Sequence, residues 1–131
     1  MAGVNETEID AGLAPTPHYR YADVVGDRLF LAGQVPRDTD GNLVGVGDVA
    51  VQTRECLTNL FSVVMLNGFG LEDIHQVTIY VVGEHQHLLD AWHEVTARFG
   101  SNVPPATLLG VNHLGYQGQL VEIDACVERT R

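Results

Sequence analysis

Glu122 and Asp124 occupy alternate positions in the segment Val121-Glu122-Ile123-Asp124-Ala125. Side chains alternate across a strand, so both carboxylates share one face and Val121, Ile123 and Ala125 share the other. Such a pattern ordinarily marks a solvated sheet face. If one of these carboxylates is partly buried, loss of water raises its pKa and equips it to pass protons. The other titratable residues point less clearly to chemistry. His85, His87 and His93 gather at the start of a helical stretch, but His-x-His spacing suits a strand face, and neither a cysteine partner nor an HExxH pattern accompanies it. They read as polar surface residues, as do His75 and His113, and no metal site is predicted. There is no lysine, which excludes a lysine Schiff base or general base. Cys56 and Cys126 each fall in an apolar pattern and read as buried thiols. Gly68-Phe69-Gly70 and Gly115-x-x-Gly118 lack the context of a phosphate loop, and no Gly-x-Ser-x-Gly elbow is present.

The 131 residues suffice for one domain with a real core. The composition, 45% hydrophobic and 18% charged, is that of a soluble globular protein. No apolar run approaches the ~20 residues of a membrane span. The first residues show neither the basic region nor the apolar centre of a signal peptide, and two cysteines give no disulfide framework, so a cytoplasmic setting is expected. A net charge of -10, with seven scattered arginines as the only cationic side chains besides histidine, argues against nucleic acid as a partner.

The elements that must position these groups follow from periodicity. Residues 1–18, polar and acidic with Pro15 and Pro17, form an arm, and residues 19–131 form a single domain. Tyr21–Val25 and Arg28–Gly33 flank Gly26-Asp27 as a hairpin. Asp48 caps a helix running to about Asn67, whose apolar face is Val49, Thr53, Cys56, Leu57, Leu60, Phe61 and Val64, and Gly68 stops it. Ile74–Val82 is a strand. A second helix runs from about Gln86 to Phe99 on a stripe of Leu88, Leu89, Trp92, Val95, Thr96 and Phe99, ended by Gly100. Ala106–Val111 and Gln119–Glu128 are the last strands, read as a hairpin joined through Gly115-Tyr116-Gln117-Gly118. The order β-β-α-β-α-β-β predicts an α+β fold: a mixed sheet with two helices on one face. Apolar residues on both sides of the strands predict a second sheet face that oligomerisation would cover.

Five segments in order resemble the RidA/YjgF family across about residues 17–128. They are Leu31-Ala32-Gly33-Gln34-Val35-Pro36, Gln52-Thr53-Arg54 with Leu57-x-Asn59-Leu60, Val77-Thr78-Ile79-Tyr80, Pro105-Ala106, and Val121-Glu122-Ile123-Asp124-Ala125. The resemblance implies a chorismate-mutase-like fold and a homotrimer with small-molecule sites in clefts between subunits. It also implies a hydrolytic deaminase of reactive enamines and imines that uses no cofactor. Glu122 matches the family's site glutamate and Tyr19 its site tyrosine. Around them the pattern departs. Thr107 stands where the family has an arginine that holds the substrate carboxylate, Ala32 replaces a serine, Leu109 a common cysteine, and Trp92 falls near a frequent asparagine. Gly33 keeps the family's glycine.

A threonine hydroxyl cannot replace a bidentate guanidinium. With Thr107 and Leu109 on one strand face, the expected cleft disfavours carboxylated imino acids and favours a neutral or aromatic molecule, stacked by Tyr19 or Trp92. Arg20 or Arg37 is placed to compensate if either reaches the cleft. In the catalytic reading Glu122 moves protons, Tyr19 orients substrate, and a backbone N–H near Gly33 or Gly110 polarises developing charge. The alternative is a binding or sensing trimer that has kept the cleft and lost the chemistry. A third reading, RNA cleavage or translation inhibition, echoes some relatives but is opposed by the acidic charge.

Overall fold

The computed structural model describes residues 5–130. A short helix, α1 (Glu6–Asp10), lies in the arm. The domain then runs β1 (Ala22–Val25), β2 (Arg28–Leu31), α2 (Val49–Leu66), β3 (Ile74–Val82), α3 (His85–Phe99), β4 (Ala106–Val111) and β5 (Val121–Glu128). The β-β-α-β-α-β-β order is as the periodicity predicts. The Asp48 carboxylate accepts from the Val51 N–H at 3.1 Å and caps α2. Gly68, with φ +82°, takes the left-handed conformation after its end.

The five strands form one mixed sheet in the order β1-β2-β5-β3-β4. β4 runs parallel to β3, with Thr78 opposite Thr107 and Tyr80 opposite Leu109. β5 runs antiparallel to β3, with Ile79 opposite Ile123 and Tyr80 opposite Glu122. The expected C-terminal hairpin is therefore absent, because β3 separates β4 from β5. The sequence reading joined strands adjacent in the chain, whereas the 111–121 connection carries β5 past β3 to fill the gap beside β2.

Helices α2 and α3 cover one face of this sheet. Leu57, Leu60 and Val64 of α2 and Ala91 and Val95 of α3 are buried against Val77, Ile79, Val81, Val121, Ile123 and Val127. Phe61 and Phe99 meet edge to face, 5.4 Å between centroids, where the helices touch. Leu89, expected in the α3 stripe, is exposed, and Ala91 takes the buried position.

The uncovered face is less apolar than expected. Strand alternation sends Glu122, Asp124 and Cys126 there, next to Thr78 and Tyr80. Its most exposed apolar side chains, Val25 and Phe30, lie toward the β1–β2 edge. Cys126 is accordingly exposed, not buried, while Cys56 is fully buried and its thiol is pushed well up by that burial.

The arm is docked. Asn5 is buried and its side-chain oxygen accepts from the Thr16 N–H and hydroxyl, each at 2.8 Å. Leu13 and Ala14 are buried, and the Tyr21 hydroxyl donates to the Ala14 carbonyl at 2.7 Å.

Candidate functional site

A one-residue bulge builds the site. Leu29 pairs with Val127 and Gln34 with Ile123, so five steps on one strand match four on the other. The Gln34 N–H donates to the Ile123 carbonyl at 2.7 Å and the Ile123 N–H returns to Gln34 at 3.1 Å. Between these pairings Ala32 stays tied to the β1 side, its N–H donating to the Tyr21 carbonyl at 2.9 Å, and Gly33 lies beside Glu122. A Cβ on Gly33 would lie 2.4 Å from Glu122 Oε2, so only a bare Cα admits the carboxylate.

The result is a cleft of about 330 Å³ made from four separate segments. Pro17 comes from the arm and Tyr19 from just beyond it, Ala32, Gly33 and Val35 from the stretch after β2, Gly115 and Tyr116 from the loop before β5, and Glu122 from β5 itself. A larger hollow of about 660 Å³ lies near the C-terminal ends of α2 and α3, bounded by Phe61, Phe99, Ile74 and Pro104, and contains none of the expected site residues.

Glu122 is half-buried, and loss of solvent is the main cause that raises its pKa; Asp124 adds to the rise and the Gln119 amide opposes it. Gln119 Nε2 donates to Glu122 Oε1 at 3.2 Å and to the Val121 carbonyl at 3.0 Å. Its Oε1 accepts from the Tyr116 N–H at 3.1 Å, so one buried amide fixes both the carboxylate and the loop across from it. Glu122 Oε2 accepts from no described residue, and the Gly33 N–H donates to none. Burial, and next the neighbouring Tyr116 phenol, push the Tyr19 phenol far above the ordinary tyrosine range. The Tyr116 hydroxyl is buried beside the Tyr19 phenol.

Buried amides hold the walls. Gln52 Nε2 donates to the Gly45 and Gly118 carbonyls, and its Oε1 accepts from the Leu120 N–H at 2.7 Å. Asn59 Nδ2 donates to the Val35 and Arg37 carbonyls. Arg37 lies over the Tyr116 ring at 4.3 Å, while its Nε donates to Gly41 O and its Nη1 to Pro15 O.

Of the residues expected at the site, the structure brings Glu122, Tyr19, Ala32 and Gly33 together. Thr107 and Leu109 lie on the uncovered face two strands from β5, about 10 Å away by strand spacing. They stand outside the cleft one chain forms. Trp92 is packed against the core on the helical face, so within one chain it cannot stack a ligand beside Glu122. Gly110 sits on β4, likewise away from the cleft. Arg20 is exposed and pairs with Asp23 at 3.5 Å. Among the described residues no group of three or more His, Cys, Asp or Glu side chains is placed to hold a metal. Nor is any helix long and apolar enough to cross a membrane. Tyr116 and Gln119 were not singled out from sequence; Gly115-x-x-Gly118 around Tyr116 was the available signal, and it read only as a turn.

The family model described as Endoribonuclease L-PSP matches residues 11–129. A RutC family protein of Pyrococcus horikoshii is 32% identical over 115 residues, covering 86% of this chain and 89% of that protein. A protein of Dermatophagoides farinae named 2-iminobutanoate/2-iminopropanoate deaminase is 28% identical over 123 residues, covering 91% and 93%. The crystal structure of the YjgF gene product of E. coli superposes with a TM-score of 0.78 at 24% identity, covering 89% of this chain and 92% of that one, a likeness of fold.

Proposed function

This chain belongs to the Endoribonuclease L-PSP family, the RidA/YjgF group, and we propose that it is a cofactor-independent hydrolase of reactive enamines or imines, working at Glu122. The observation that carries this reading is a half-buried carboxylate with raised pKa, one oxygen unpartnered, facing a small cleft. A relative named as an iminobutanoate and iminopropanoate deaminase supports the reaction class. The acidic charge of -10 opposes work on RNA.

The chemistry follows from one carboxyl group. Protonated Glu122 gives its proton to the enamine carbon or imine nitrogen, leaving an iminium and a carboxylate. The carboxylate then takes a proton from water as the oxygen adds to the C=N carbon. That proton is returned to nitrogen, the C–N bond breaks as the Glu122 carboxylate takes the hydroxyl proton, and ammonia and a carbonyl compound leave with Glu122 protonated again. Acid–base assistance of this kind contributes roughly 10²–10⁴-fold. Tyr19 orients the substrate, and the unpaired Gly33 N–H is available to charge developing on oxygen. Carboxylated imino acids are poor substrates in this reading, since Thr107 offers no guanidinium and no cationic side chain lines the cleft. A homotrimer would place Thr107, Leu109 and the exposed Val25 and Phe30 against neighbouring copies.

Ammonia release from freshly generated imines tests the assignment. Wild type accelerates release and Glu122→Gln does not; equal turnover by both proteins takes the carboxylate out of the mechanism. The second reading is a trimer that binds without turning over, favoured by the departures at Ala32, Trp92, Thr107 and Leu109. A ligand that raises the melting temperature while remaining intact is its signature.

A further inference from the structure

We propose that Asn5 is a positioning residue for Tyr19: together with Thr16 it clamps the segment that carries the phenol to the cleft, so the docked arm sets where that phenol stands. The inference rests on the role given to Tyr19 above and concerns contacts within one chain. Three observations carry it.

First, Asn5 stands at the start of α1, where an asparagine side chain ordinarily accepts from the first helical N–H groups, yet it caps none of them. No residue of α1 is buried, whereas Asn5 is only 4% exposed. Its amide serves the chain beyond α1 instead. Oδ1 accepts from the Thr16 N–H and hydroxyl, and Nδ2 donates to the Tyr19 carbonyl at 3.2 Å. The Thr16 hydroxyl also lies against that carbonyl. A buried amide whose oxygen and nitrogen both bond to one short segment fixes that segment, because freeing it would strand buried polar groups.

Second, the backbone held in this way is strained. His18, between Pro17 and Tyr19, has φ +76°, the only positive φ outside glycine among the described residues. An L side chain keeps that conformation where its surroundings impose it. Pro15 and Pro17 bring no N–H, and the His18 N–H closes a tight turn on the Thr16 carbonyl at 2.9 Å. His18 thus sets the direction in which the chain leaves the arm, and Tyr19 is the next residue.

Third, packing alone does not hold the Tyr19 ring. It is 37% exposed, with its phenol beside those of Tyr116 and the Glu122 carboxylate. Its place therefore depends on its backbone, which is fixed before it by the clamp and after it by the Tyr21 carbonyl, the acceptor of the Ala32 N–H. Release of the clamp lets His18 relax to negative φ and carries the phenol away from Glu122.

Fluorine NMR of protein labelled with 3-fluorotyrosine, together with imine turnover, tests the proposal. Tyr19→Phe identifies the Tyr19 signal, and circular dichroism verifies that each variant folds. Asn5→Ala should move the Tyr19 signal toward that of free 3-fluorotyrosine and leave the signal of Tyr80, on β3, in place. Thr16→Ser, which keeps the hydroxyl, should hold the wild-type shift where Thr16→Ala does not. Imine hydrolysis by Asn5→Ala should lose at least about tenfold in kcat/KM. Added to Tyr19→Phe, the same change should cost nothing more, since it acts through Tyr19. An unmoved Tyr19 signal in Asn5→Ala, or losses that add in the double variant, would overturn the proposal. The two assignments fail separately. If wild type turns over no imine, the hydrolase falls and the fluorine spectra still decide the clamp; Glu122-dependent turnover with the Tyr19 signal unmoved in Asn5→Ala keeps the hydrolase and removes the clamp.

Discussion

Val121, Ile123 and Val127 of β5 meet the two long helices, whereas Glu122, Asp124 and Cys126 meet neither. The first set sits in a core built by repetition: every second residue of β3 and β5 and every third or fourth of α2 and α3 bring the same kind of side chain to the same layer. The second set belongs to a region built by convergence. Residues near 17, 33, 116 and 122 have no common period and meet only because a bulge, a docked arm and three buried amides hold them. Repetition makes the core robust and simple to encode. Convergence makes the cleft specific and sensitive to single atoms.

The sharpest way to break this contrast is to change two adjacent residues. Ile123→Ala should lower stability by about 2–5 kcal/mol, because a fully buried side chain leaves a cavity. Glu122→Gln, one position away, should stay within about 1 kcal/mol of wild type in urea denaturation, since it removes a half-desolvated carboxyl and keeps its shape. Similar losses in both would show that the two faces are not separate in energy.

Gly33→Ala comes next. The added methyl would collide with Glu122 Oε2 and must turn the carboxylate aside, at about 0.5–1.5 kcal/mol for an off-rotamer side chain. Glu122-dependent ammonia release should disappear although Glu122 itself is intact. Full activity in this variant would mean that the seat of the carboxylate over Gly33 is unimportant.

A finer probe is Gln119→Leu. The Gln119 bond holds the Glu122 pKa down against burial, so its removal should move the carboxyl titration to higher pH, read by carboxyl ¹³C shifts. A midpoint that falls would contradict this role for the amide. The smallest effect is linkage. Because the folded-state pKa of Glu122 lies above its ordinary value of 4.5, the native state binds more protons than the unfolded chain in the window above 4.5. Glu122 therefore favours folding least once pH has risen through its folded pKa. The stability of wild type relative to Glu122→Gln should decline across that window and then level off; a constant difference would remove the raised pKa.

The same contrast explains what the sequence disclosed. The element order, the Asp48 cap, the Gly68 and Gly100 stops and most of the core were legible, because each is set by neighbours three or four residues away or by alternation. Glu122 and Asp124 were legible as a shared face for the same reason. The strand order was not, since nothing local to residues 106–128 reveals that β3 lies between the last two strands. Cys126 was misplaced by hydropathy, because its parity along β5 outweighs its apolar neighbours. Trp92 was assigned to the cleft by resemblance, while its spacing from Leu88 and Val95 already put it on the core side of α3. Tyr116 and Gln119 sit in a loop without period, where burial depends wholly on segments distant in sequence.

The strand order also sets the timing of assembly during synthesis. The last strand made is the middle one: β5 slots between β2 and β3, both of which leave the ribosome long before it. β5 is the strand that pairs with both β2 and β3, so nothing else in the sheet joins the β1–β2 hairpin to the β3–β4 pair. Residues 119–130 are thus a keystone: the strand that completes the sheet is also the one that brings Glu122 to the cleft.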